Sequence, residues 1–105
     1  MNNDNLPELV QNSAQKLGEY FEDEIITRSV SYEQLHERLT ELIVYLLLHK
    51  MELLLQVLYR VDVFEKDTKA AFAQNDPKLI APELAKLIID RELRKAETRI
   101  KYKQG

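Results

Sequence analysis

Residues 31–61 read SYEQLHERLTELIVYLLLHKMELLLQVLYRV, and their pattern decides the fold. Ser31-Tyr32-Glu33-Gln34 is a capping box: the Ser31 hydroxyl is placed to accept from a first-turn amide while the side chain three residues on reaches back. Val30 before the box and Leu35 after it are spaced as a hydrophobic staple. Leu39, Leu42, Ile43, Leu46, Leu47, Met51, Leu54, Leu55, Leu58 and Val61 follow at helical spacing, with no glycine or proline to interrupt them. The polar residues Gln34, Arg38, Glu41, Tyr45, His49, Glu52, Gln56 and Arg60 step by threes and fours, which makes one polar strip on an otherwise apolar cylinder. A surface helix has the opposite proportions, so this second helix is expected to be surrounded on most sides.

Two endings are open to it. Val61, Phe64, Thr68, Ala71 and Phe72 keep the apolar phase and permit a helix continuous to residue 74, about 66 Å long at 1.5 Å per residue. Against that, Val61-Asp62-Val63 has low helix propensity and Asp62 with Glu65 forms a weaker capping signal, so a break near Asp62 is preferred. Asn75-Asp76-Pro77 is a firm stop. Beyond it, Pro82 is read as the first helical position of a last helix whose seam is Ala85, Ile89, Leu93, Ala96 and Ile100, widened at its start by Leu84, Leu87 and Ile88.

Upstream, Asn5 with Glu8 marks a helix start, and Leu6, Leu9, Val10, Ala14, Leu17, Tyr20 and Phe21 share one face of a first helix over about 6–24. Its end is assigned to Ile25-Ile26-Thr27, a β-branched run that fits a helix poorly. The expectation is an all-α fold. It is a single domain over 1–105, a small up-down bundle of three or four helices around a long, largely buried central helix, 31–61 or onward to 74.

Composition excludes whole classes of chemistry. No cysteine means no disulfide, thiolate zinc site, iron–sulfur cluster or thiol catalysis. Two glycines, Gly18 and Gly105, cannot build a phosphate-cradling loop. The longest apolar run, Leu42–Leu48, is far too short to span a membrane, and the first residues carry no targeting signal, which points to a cytoplasmic, bacterial-type protein.

Charge is uneven. Residues 1–41 hold nine acids against three bases, with Glu19, Glu22, Asp23 and Glu24 crowded at the end of helix 1, where they oppose the helix dipole. Residues 91–105, a basic helix end and tail, hold six bases against two acids: Arg91, Arg94, Lys95, Arg99, Lys101 and Lys103. A solvated face with ordinary i,i+4 pairs is the plain reading of that tail. An anion or partner patch is the sharper one, and docking onto the Glu19–Glu24 cluster is a third. The acidic whole, and Tyr102 as the only aromatic near the bases, weigh against nucleic acid.

No catalytic motif is present and no cofactor is expected. Glu33 and His36 have the Glu-x-x-His spacing of di-metal bundles, but no second copy exists in the chain. The expectation is therefore a non-enzymatic interaction or structural protein. Three helices cannot cover all of Ile43, Val44, Leu47, Leu48, Leu54 and Leu55, and an uncovered apolar face points to a homodimer with helix 2 at its interface. Anionic-partner binding through the basic end is the alternative, and a metal or small ligand in the bundle interior a further one.

Overall fold

A computed structural model describes residues 6–104 of the chain and contains six helices: α1 Leu6–Phe21, α2 Glu24–Thr27, α3 Tyr32–His49, α4 Met51–Val61, α5 Glu65–Phe72 and α6 Pro77–Gln104. The all-α class is as expected. The count of three or four helices is not, and the excess comes from turns whose local causes can be named.

α1 closes at Phe21 rather than near residue 24. Glu22 adopts φ 53° and its amide donates to Glu19 O at 3.2 Å, while the Asp23 amide donates to Gly18 O at 2.9 Å. These are the two bonds of a Schellman ending, with a glutamate where glycine is usual. Asp23 then caps α2, its Oδ1 accepting from the Ile26 amide at 3.0 Å. The β-branched Ile25-Ile26-Thr27 run is thus one helical turn, because Ile26 gains burial and Asp23 a donor. Of the acids expected to oppose the α1 dipole, Asp23 and Glu24 belong to the start of α2. The Asn5 cap lies outside the described residues.

The Ser31 cap at the start of α3 forms, while the returning Gln34 side chain bonds one residue upstream of the cap, at Val30 rather than at Ser31. Ser31 Oγ accepts from the Gln34 amide at 3.1 Å, and Gln34 Oε1 accepts from the Val30 amide at 3.0 Å. The staple does not, for Val30 is 62% exposed while Leu35 is fully buried.

The long helix is divided twice. The break at Asp62 occurs as preferred, with φ 65° and both the Asp62 and Val63 amides donating to Leu58 O. The second division, at Lys50, was not anticipated: its φ and ψ are −144° and 58°. Leu35, Leu39, Ile43 and Leu46 are the buried stripe of α3, and Leu54, Val57, Leu58 and Val61 that of α4. An unbroken helix would place Lys50 between Leu46 and Leu54 on that stripe and bury its ammonium, a cost far above that of a few backbone hydrogen bonds. The break turns Lys50 out to solvent.

α6 also begins earlier than expected. Asp76 caps it, its Oδ1 accepting from the Lys78 amide at 3.0 Å, and Pro77 rather than Pro82 holds the first position. Pro82 lies inside the helix, and its carbonyl accepts from His36 Nε2 at 2.9 Å.

The central element is α6, not helix 2. It packs on α1, α3, α4 and α5, burying Ile80, Ala81, Leu84, Ala85, Ile88, Ile89, Leu93 and Ala96 among Leu9, Leu17, Leu39, Ile43, Leu54 and their neighbours. A helix continuous from 31 to 74 would exceed the longest dimension, 43 Å, which is about the length of α6 itself.

Candidate interaction surface

α4 has two faces. The inner one, Leu54, Val57, Leu58 and Val61, is buried in the core. The outer one carries two parallel rows at i, i+4, i+8: the apolar row Met51, Leu55, Tyr59 and the polar row Glu52, Gln56, Arg60. All six residues are exposed. Met51 is 37%, Leu55 48% and Tyr59 87% accessible, and Leu48 at the end of α3 adds another apolar side chain at 61%. Glu52, Leu55, Gln56, Tyr59 and Arg60 line a shallow groove of about 470 Å³. At its C-terminal end the Arg60 guanidinium lies 4.7 Å from the centroid of the Tyr20 ring, a cation–π contact that ties α4 to α1. Among the described residues Glu52 makes no ion pair.

The six residues expected at an interface are therefore divided. Ile43 and Leu54 are fully buried within the chain and have no surface to offer a second one. Val44 and Leu47 are half-buried against the core, and Leu48 and Leu55 stand exposed. Met51 and Tyr59 belong with them. The period-four spacing of Met51, Leu55 and Tyr59 is readable in the sequence, but on a helix that is apolar almost all round an outer row cannot be separated from the core by spacing alone.

Three of the six bases of the basic end are engaged within the chain. Arg91 Nε donates to Asp62 O at 3.1 Å and Lys95 Nζ to Arg60 O at 3.4 Å, so both cations cap the carbonyl end of α4, where the dipole favours them. Arg99 Nη2 donates to Asn12 Oδ1 at 2.8 Å and to Glu92 Oε1 at 3.4 Å, joining α6 to α1. Glu92 is fully buried, with Lys95 Nζ 3.8 Å from its other oxygen. Burial holds the Lys95 ammonium below its usual pKa, against the attraction of Glu92. Among the described residues no base of this end pairs with the Glu19–Glu24 cluster: Glu19 pairs with Lys16 and Glu24 with Arg28. Arg94 and Lys101 are exposed, and the side chain of Lys103 lies outside the described residues.

Glu33 and His36 do not converge on a metal position. Glu33 is exposed, the Nε2 proton of His36 is given to Pro82 O, and among the described residues no three His, Asp or Glu side chains gather to hold an ion. The His36 ring instead stacks on Tyr32 with centroids 6.3 Å apart. Tyr32 donates to Asp90 Oδ1 at 2.9 Å, and burial, this hydrogen bond and the Asp90 charge push its pKa up to about 12. A cleft of about 210 Å³ beside Asp90 is lined by Val63, Phe64, Asp67, Leu87, Arg91 and Arg94, charges of both signs among them. No described helix is long and apolar enough to cross a membrane. No protein-family model matches the chain, and no curated protein and no solved structure matches it significantly.

Proposed function

We propose that this chain is a non-enzymatic helical interaction module that forms a homodimer through the outer face of α4 and the adjoining end of α3. The observation that carries the reading is the exposed row Met51, Leu55, Tyr59 with Leu48 beside it. Burying side chains of this kind is worth about 1.5–3 kcal/mol each, and leaving four of them in water on neighbouring turns forgoes that gain. Leu6, Ile25, Val30, Tyr45, Phe64, Leu79 and Tyr102 are also exposed, but none of them lies on α4. A single Leu at the surface is ordinary, whereas a contiguous apolar patch with polar neighbours is the mark of an association surface. Arg91, Lys95 and Arg99 are engaged within the chain, so among the described side chains of the basic end Arg94 and Lys101 are those left for an anionic partner.

Light scattering at micromolar concentration tests this. The expected molar mass is twice the 12.4 kDa of one chain, and Leu55→Asp should return it to that of one chain with the helical circular dichroism unchanged. A wild-type monomer would remove the reading.

A further inference from the structure

We infer that the second copy docks antiparallel, α4 against α4, about a two-fold axis beside Leu55 and Gln56, so that Glu52 of each chain pairs with the partner's Arg60. This rests on the self-association proposed above and adds its geometry. The outer rows of α4 are ordered along the helix. Glu52 stands near the start of one row and Arg60 two turns on, a rise of about 12 Å that keeps them from pairing within one helix.

A two-fold axis normal to the plane of two side-by-side helices reverses their direction and keeps each row on its own side. The polar row then meets the polar row and the apolar row the apolar row. Glu52 falls opposite Arg60 of the partner subunit, Gln56 opposite its own symmetry mate, Met51 opposite Tyr59 of the partner subunit, and Leu55 against its own mate. A parallel pairing about a two-fold axis running along the helices would instead exchange the two sides, setting the polar row of each chain against the apolar row of the other and leaving Glu52 and Arg60 without charged partners. The order of rows and charges thus selects one direction, and the apolar row supplies the contact it directs.

The parts are already placed for this. Glu52 has no ion-pair partner among the described residues, and Tyr20 beneath the Arg60 guanidinium holds it at the end of the groove while leaving its edge donors free. Glu52 and Arg60 both line the groove between the rows, so a second α4 laid in it reaches both. Gln56, at the centre, carries a donor and an acceptor and can bond its own copy across the axis.

The test uses two full-length single variants. Glu52→Arg gives a chain whose polar row ends in two cations, and Arg60→Glu one whose row ends in two anions. Each should self-associate at least about tenfold more weakly than wild type, because both rim pairs become like-charged. Mixed in equal amounts, they should form a one-to-one heterodimer with affinity within about threefold of wild type, since every rim pair is again of opposite sign. Sedimentation velocity with one variant labelled reads this directly, and circular dichroism of each variant confirms that it is folded. If wild type dimerises but the variants associate as it does, or their mixture yields no heterodimer, the antiparallel register is wrong and self-association stands. If wild type is monomeric, both fall.

Discussion

Gly18 is the residue on which the first corner of the fold depends. The helix read over about 6–24 passes through it without giving it a role, and the position is buried within α1. Its role comes from what lies above it. A Cβ there would collide with Thr27 Cγ2 and come within 2.9 Å of Asp23 O and 3.0 Å of Thr27 N, so only a hydrogen lets α2 fold back against α1. In an exposed helix, Gly→Ala would gain about 1 kcal/mol from propensity. Here the overlap with backbone reverses the sign, and Gly18→Ala should destabilise the chain by about 1–3 kcal/mol in urea unfolding. Thr27→Ser removes the methyl that is struck first and should recover part of the loss in the double variant. Full stability in Gly18→Ala would mean that α2 shifts freely and is not held at this corner. Glu22, four residues on, is the complementary case: a glutamate in the left-handed region, where glycine would carry no steric cost.

Among the elements, the tie between α3 and α6 is the one with a readable titration. Tyr32, in the first turn of α3, donates to Asp90 in the middle of α6, and its pKa rises from 10.0 to about 12. A raised folded value means that the folded state holds the proton more tightly than the unfolded one. The stabilisation is therefore complete below about pH 10 and disappears as pH rises through about 12. Lys95 works the other way: with its pKa lowered by burial, its contribution improves as pH climbs towards 10.5. That change is common to wild type and Tyr32→Phe and cancels between them. The difference in unfolding free energy between the two proteins should hold steady from about pH 8 to about pH 10 and shrink by about pH 11. A difference independent of pH would show that the Tyr32 proton is not held by Asp90. How far the elements could be read from residues alone follows from how local their causes are. The Ser31 cap and the Asn75-Asp76-Pro77 stop are set by side chains bonding amides within three residues, and both were legible. The Asp62 break was legible from its low propensity, but the Asp62 and Glu65 capping signal does not form, because Asp62 takes a left-handed conformation and Phe64, without a side-chain cap, precedes α5. Pro82 within α6, the one-turn α2 and the position of Gly18 are settled by partners far along the chain or across a corner, and these were not. Lys50 lies between. Its phase with Leu46 and Leu54 could have announced the break, but a lone cation in a Leu-rich run reads as a residue that reaches past the core until the packing on both sides is known.

At the scale of the whole molecule, α6 takes the central place expected for helix 2, and this changes what remains outside. With α1, α3, α4 and α5 around one helix, each surrounding helix keeps an outer face in water. α5 covers its own with Glu65, Lys66 and Lys69, and α1 with Glu8, Gln11, Gln15 and Glu19. α4 presents Met51, Leu55 and Tyr59 instead, so the excess of apolar residues expected on helix 2 is reduced to one face of α4 and to Tyr45 and Leu48 at the end of α3. If that face is buried in a dimer, folding and association are linked, and stability must follow mass action. Each tenfold rise in chain concentration should then add about 1.4 kcal/mol per dimer to the unfolding free energy, which moves the thermal midpoint upward. The wild-type midpoint is expected to rise steadily over about a hundredfold range of micromolar concentration, by about 2.7 kcal/mol per dimer in all. Leu55→Asp should show a lower midpoint that no longer depends on concentration, since its core helices are intact but its outer face no longer associates. A wild-type midpoint that stays constant over the same range would mean that one chain is stable with its apolar row in water, and the outer face of α4 would lose its claim as an interface.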